Sequence, residues 1–140
     1  MAGETPDSIF TKIIKGEIPC HKVFENEHVL AFLDITPLSV GHTLVVPKRL
    51  VERFEDLPTD EAAELARQLG PLARRIVAAV GAEGYNILLN TGKVAGQEVP
   101  HVHFHIIPRH AGDGLGYRWK AAPAEQDALA ELAKKVNSQA

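Results

Sequence analysis

Three of the chain's seven histidines fall on alternate positions in one stretch, His101-Val102-His103-Phe104-His105-Ile106-Ile107-Pro108-Arg109. In a strand, successive side chains point to opposite faces, so Val102, Phe104 and Ile106 are expected in a core. His101, His103 and His105 then line the other face, with neighbouring imidazoles roughly 7 Å apart. Two chemistries suit such a face. One is a metal site: His-x-His can grip zinc, which takes three or four ligands at about 2.0–2.1 Å, although a third histidine on a flat strand is hard to bring to the same ion. The other is nucleophilic catalysis at phosphorus. A neutral imidazole, with a reference pKa of roughly 6.5, attacks well at pH 7 and leaves well once it is a phosphoramidate. Crowded imidazoles discourage one another's protonation, so a neutral nucleophile can stand beside a cationic neighbour that pairs with phosphate. The bland alternative is a polar strand face in water.

The elements that would carry this face can be read from apolar spacing and turn residues. Asp7 or Ser8 can cap a short helix with Ile9, Phe10, Ile13 and Ile14 at helical spacing, ended by Gly16. Lys22 to Glu25 and Val29 to Leu33 read as a hairpin across Asn26-Glu27. Asp34-Ile35-Thr36-Pro37 turns out of it, and Gly41 opens a third strand, His42 to Val46, stopped by Pro47. Pro58-Thr59-Asp60-Glu61 starts a long helix whose stripe runs from Leu65 to Val80, with a kink or break expected at Gly70-Pro71 because proline removes a helical donor. Tyr85 to Asn90 reads as a fourth strand, Thr91 to Gln97 as a glycine-punctuated loop, and Ala124 to Val136 as a closing helix. The class is therefore α+β: a meandering antiparallel sheet of about five strands, packed with a short N-terminal helix and one longer helix.

Bulk properties narrow the partners. A chain of 140 residues has the length of one domain, and 45% hydrophobic with 24% charged residues excludes disordered and fibrous classes. A net charge of −3 offers no broad basic surface, so neither nucleic acid nor an anionic membrane is an expected partner. The single cysteine, Cys20, suits a reducing compartment, and Met1 to Asp7 lacks the pattern of a signal peptide, so the expected location is cytoplasmic.

The stretch around His101-Val102-His103-Phe104-His105-Ile106-Ile107 resembles the histidine triad (HIT) family, and the order of the flanking motifs is similar to its Hint branch. Those motifs are Ile9-Phe10 with Lys12-Ile13-Ile14 and Glu17-Ile18-Pro19, Ala31-Phe32-Leu33-Asp34-Ile35, Gly41-His42-Thr43-Leu44-Val45-Val46-Pro47-Lys48, Asn90, and Gly96-Gln97-Glu98-Val99-Pro100. The resemblance covers roughly residues 7 to 110, leaving 111–140 as an extension of a single HIT-like domain. It implies a homodimeric hydrolase or transferase, needing no cofactor, that acts on purine nucleoside 5′-phosphoramidates or aminoacyl adenylates. His103 would be the nucleophile that forms a nucleotidyl-histidine, His105 would contact the phosphate, and His101 and His42 would complete the hydrogen-bond set. Asp34 would accept from the ribose hydroxyls, Phe10, Ile13, Phe32 and Ile35 would form the base slot, and Asn90, Gly96 and Gln97 would hold the phosphate side. Read without the resemblance, Asp34 is equally a turn cap and the four apolar residues are core.

Two departures matter. Many bacterial relatives hold zinc with a Cys-x-x-Cys, a later histidine and the first triad histidine; the matching positions here are Ser8, Thr11, Leu50 and His101, so no metal is expected. Glu98 stands where Hint proteins commonly have a serine near the leaving group. The competing readings are a dinucleoside polyphosphate hydrolase of the Fhit type, a nucleotide-binding module with little turnover, and a zinc protein using the triad.

Overall fold

A computed structural model describes residues 7–116 and 118–139. The first six residues, part of the stretch read as lacking a signal peptide, lie outside the described residues. Ser8, not Asp7, caps the first helix: its hydroxyl accepts from the amides of Phe10 and Thr11 at 3.2 and 3.4 Å, and the Thr11 hydroxyl accepts from the Ser8 amide at 3.2 Å. This reciprocal cap holds α1 (Ile9–Ile14), a helix too short to stand alone.

Five strands follow, β1 (Lys22–Glu25), β2 (Val29–Leu33), β3 (Thr43–Pro47), β4 (Gly84–Leu89) and β5 (Phe104–Arg109), with α2 (Thr59–Val80) between β3 and β4 and α3 (Gln126–Asn137) at the end. They form one antiparallel sheet in the order β1-β2-β3-β5-β4. The expected antiparallel sheet is present, with one departure from a simple meander: β5 inserts between β3 and β4. That insertion places the histidine strand in the interior of the sheet, with Leu44 opposite His105 and Val45 opposite Phe104.

The two faces of the sheet are covered unequally. Val29, Ala31, Val45 and Ile106 pack under α2, which presents Leu65, Leu69, Leu72, Ala73 and Ile76. Leu30, Phe32, Leu44 and Val46 face the other way and pack with Phe10 and the partly buried Ile13, Ile14, Cys20 and Val99.

Three expectations change. The α2 helix runs unbroken from Thr59 to Val80 through Pro71; Gly70 and Pro71 both lie on its exposed side, so the buried stripe continues past them. Strand β5 begins only at Phe104, because the amides of His101 and Val102 are taken by the carbonyls of Val99 and Val51 at 2.8 and 2.7 Å rather than by a neighbouring strand. The closing helix forms but closes nothing: no residue of α3 is buried.

Candidate active site

The four histidines converge because β3 and β5 are neighbours. His42 immediately precedes β3, His105 lies on β5, and His103 sits just before that strand, on the face away from α2. The rings of His103 and His105 are 5.0 Å apart between centroids, and those of His42 and His105 are 5.1 Å apart. This is tighter than the roughly 7 Å of a flat strand, since the chain leaves the ladder at His103. Phe10 from α1 stands edge-on to His103 at 4.9 Å and to Phe32 at 5.7 Å, so the short helix clamps the candidate nucleophile.

The hydrogen bonds assign each ring its tautomer. The Leu38 amide donates to His42 Nδ1 at 3.0 Å, which leaves the proton of neutral His42 on Nε2. That Nε2–H meets His105 Nδ1 at 2.9 Å, so His105 accepts there and carries its own proton on Nε2. His103 has the opposite arrangement. Its Nδ1 is 2.7 Å from the His101 carbonyl, which can only accept, so Nδ1 is protonated and Nε2 keeps the lone pair. His101 donates from Nε2 to the Pro47 carbonyl at 2.8 Å and leaves a buried Nδ1 with no partner among the described residues.

Burial pushes all four imidazoles below their ordinary pKa. For His105 desolvation is reinforced by the neighbouring His103 and His42 rings, which brings it to about 4. For His103 desolvation outweighs the opposing hydrogen bond to the His101 carbonyl and the charges of Asp34 and Glu98. His42 and His101 are lowered by desolvation in the same way. A cationic neighbour beside the nucleophile was expected from the sequence. Burial disfavours the cation at all four rings, and the group that faces an anion is the Nε2–H of neutral His105.

The rings of His42, His103 and His105 open on a cleft of about 530 Å³. Its apolar end is formed by Phe10, Ile13, Phe32 and Ile35, and its polar end by Asp34, Asn90, Gly96, Glu98, His42, His103 and His105. Asp34 makes the turn cap that the sequence allowed and also borders the cleft. One oxygen caps the turn, accepting from the Thr36 amide and hydroxyl at 2.9 and 3.2 Å, and the other lies 3.7 Å from His42 Nε2. Two expected site residues do not line the cleft. His101 is fully buried and acts through its carbonyl. Gln97 turns its amide away, donating to the Glu52 carbonyl and accepting from the Gly92 amide, both at 2.8 Å, and so braces the loop that presents Gly96 and Glu98. Gly96 adopts φ 97°, a left-handed geometry suited to glycine, and its carbonyl accepts from Asn90 at 3.5 Å. Cys20, Leu38, Leu44 and Val99 also line the cleft without having been singled out. The Leu38 amide and the His101 carbonyl, which set the tautomers, are backbone groups and leave no side-chain signature in a sequence.

Neither arrangement of metal donors fits. At the positions where the resemblance implies zinc, Ser8 and Thr11 spend their hydroxyls on the helix cap and Leu50 has no donor atom. Asp34, His42 and His105 bring ligand atoms within 4.8 Å of one another. The Leu38 amide, however, fixes the proton of neutral His42 on Nε2, and a protonated nitrogen cannot ligate.

Comparison with known proteins agrees with the geometry. Residues 15–112 match the HIT domain family model. The chain is 57% identical over 106 residues to a HIT-like protein of Methanocaldococcus jannaschii, covering 76% of this chain and 81% of that one. It is 42% identical over 131 residues to the adenosine 5′-monophosphoramidase hnt1 of Schizosaccharomyces pombe, covering 93% of this chain and 96% of that one. A solved HIT family structure from Bacillus subtilis superposes with a TM-score of 0.90 at 39% identity, covering 96% and 98% of the two chains. With the triad, its flanking motifs and the whole sheet in agreement, the chain belongs to the HIT domain family.

Proposed function

We propose that the protein hydrolyses purine nucleoside 5′-phosphoramidates through a covalent nucleotidyl-histidine on His103. The observation that carries this reading is the pinned tautomer of His103: Nδ1–H is held by the His101 carbonyl at 2.7 Å, so Nε2 presents its lone pair at the cleft wall. Attack by Nε2 on the α-phosphorus forms a P–N bond to the ring and breaks the P–N bond to the leaving amine, which takes a proton from solvent as it departs; the water of the second step returns one. The ring becomes cationic in that step, and the Nδ1–H···O=C bond to His101 strengthens as it does. The His105 Nε2–H donates to a non-bridging oxygen. Water then cleaves the phosphorus–histidine bond, releasing the nucleoside monophosphate and the free imidazole. The apolar end of the cleft suits a purine, and Asp34 Oδ2 suits ribose hydroxyls. The similarity to the fission yeast adenosine 5′-monophosphoramidase supports the same substrate class.

The decisive measurement is AMP release from adenosine phosphoramidate in EDTA, wild type against His103→Ala, with intact mass on a quenched reaction. Turnover by the wild type alone, with a transient gain of one AMP, is expected. Turnover that survives His103→Ala overturns the reading.

The functional unit we propose is a cytoplasmic homodimer of single-domain chains. Supporting it, the outer strand β4 exposes Tyr85 and Ile87, and α3 exposes Leu129, Leu132 and Val136. Light scattering at micromolar concentration checks the pairing, and a monomer there contradicts it. Among the described residues no helix is long and apolar enough to cross a membrane.

A further inference from the structure

Glu98 occupies a boundary. It lines the histidine cleft on one side and, on the other, a second cavity of about 400 Å³ bordered by Glu52, Arg53, Gly92, Lys93 and Gln97. Its neighbours make that boundary stiff. Gln97 ties the Gly92 amide to the Glu52 carbonyl through its own amide group, and its backbone N–H returns to the Gly92 carbonyl at 3.1 Å. The residue after this brace has little freedom to swing away, so Glu98 is held where the two spaces meet. Its side chain is exposed, and among the described residues no hydrogen bond or ion pair engages its carboxylate. The other charges around the second cavity differ in availability: Arg53 is bound by Glu55 at 2.7 Å, whereas no hydrogen bond or ion pair to a described residue holds Lys93.

In an in-line displacement the leaving group departs opposite the attacking His103 Nε2. On the proposed reading the nucleoside takes the apolar end of the cleft, beside Phe10, Ile13, Phe32 and Ile35. What remains for the leaving amine is the rim occupied by Glu98 and the space behind it. The Glu98 charge is felt at the reaction centre, where it acts on His103 in the direction that favours protonation.

We infer that the second cavity receives the leaving group and that Glu98 selects amines carrying a further positive charge, so that the preferred substrates are nucleoside phosphoramidates of diamines or basic amino acids. This rests on the phosphoramidase reading and adds its substrate class. A free, exposed carboxylate attracts a cationic tail, repels an anionic one and is indifferent to a neutral one; at a solvent-exposed site such a pair is worth about a fivefold change in rate at most. Lys93, across the cavity, acts with the opposite sign.

The test uses three adenosine 5′-phosphoramidates whose amines differ in tail charge and little in size: those of ethylenediamine, ethanolamine and β-alanine. kcat/KM is measured for each with wild type, Glu98→Gln and Lys93→Gln, and expressed relative to the ethanolamine compound within each protein, so that differences between wild type and variant cancel the intrinsic leaving abilities. With Glu98→Gln the relative rate of the ethylenediamine compound is expected to fall about fivefold and that of the β-alanine compound to rise by a similar factor. With Lys93→Gln both changes reverse, and raised ionic strength compresses all of them. Identical responses of the three substrates to Glu98→Gln overturn the charge selection while leaving the phosphoramidase reading intact. A wild type that turns over none of the three, nor unsubstituted adenosine phosphoramidate, overturns both.

Discussion

The two faces of one sheet have opposite uses, and the length of the helix laid on each decides which. On one face the 22-residue α2 seals Val29, Ala31, Val45 and Ile106 beneath a continuous apolar stripe. On the other face the six-residue α1 covers little more than its own footprint and leaves a 530 Å³ cleft beside Leu30, Phe32 and Leu44. Alternation along β5 then sends Phe104 and Ile106 into the sealed core and His105 to the open side. A strand can place an imidazole precisely only if its other face is anchored, so the sealed side is the rigid base of the reactive one. The contrast predicts that damage to the sealed face appears as lost stability and damage to the open face as lost chemistry.

The largest expected effect lies on the sealed face. Leu65 is 0% exposed and is the first buried residue of the α2 stripe, so Leu65→Ala leaves a cavity under the sheet and should lower the unfolding free energy by about 2–5 kcal/mol. Urea unfolding measures it, and below the transition the surviving folded protein should keep its kcat. A comparable loss of kcat in protein that remains folded would mean the two faces are not separable. This face was legible from the sequence, because the α2 stripe and the β-strand alternation are periodic signals. The cleft face was legible only in part. Asp34, His42, His103 and His105 stand out by residue type, whereas the brace made by Gln97 and the burial of His101 depend on loops with no period. Of the kink or break expected at Pro71, the break does not occur, for a related reason: Leu65, Leu69, Leu72 and Ile76 are all buried, and packing outweighs one missing helical hydrogen bond.

Acid should expose the open face next. The folded His105 titrates at about 4 against an ordinary 6.5, so between those values the unfolded chain binds the extra proton and the folded one does not. Stability is therefore full above pH 6.5 and declines as pH falls toward 4, by about 2–3 kcal/mol at the limit. Glu25, lowered to about 2 chiefly by its hydrogen bond with Lys22, acts in a lower window, whereas His42, His101 and His103, also lowered by desolvation, add to the decline, so the share of His105 is read from a variant. Unfolding curves at pH 7 and 4.5 should show the decline in wild type and a shallower one in His105→Asn. An equal decline in both proteins would show that His105 is not the source. The acid limb of kcat/KM should likewise lie below 6.5, because burial keeps His103 unprotonated.

A smaller effect sharpens the role of the tautomer chain. His42→Ala removes the donor to His105 Nδ1 and strands the Leu38 amide, so His105 no longer has its proton directed to Nε2. The expected loss in kcat is roughly 5- to 150-fold, the kinetic equivalent of about 1–3 kcal/mol for one unsatisfied buried partner. Its loss of stability should stay below that of Leu65→Ala. An unchanged kcat would remove His42 from the chemistry and leave it a packing residue.

The smallest effect tests how fully the sealed face is sealed. Gly70 lies inside α2 on its exposed side, and a Cβ built there meets nothing within 4 Å. Glycine in a helix interior costs backbone entropy that alanine does not, and no close contact opposes the added methyl group. Gly70→Ala should therefore raise the unfolding free energy by about 0.5–1 kcal/mol without altering kcat. The adjoining Pro71 makes this informative. If α2 were bent or breathing at Gly70-Pro71, stiffening it with alanine would strain the packing of Leu69 and Leu72 against the sheet and lower stability instead. A gain of the expected size in the urea midpoint, with no change in its slope, means that α2 is one rigid lid.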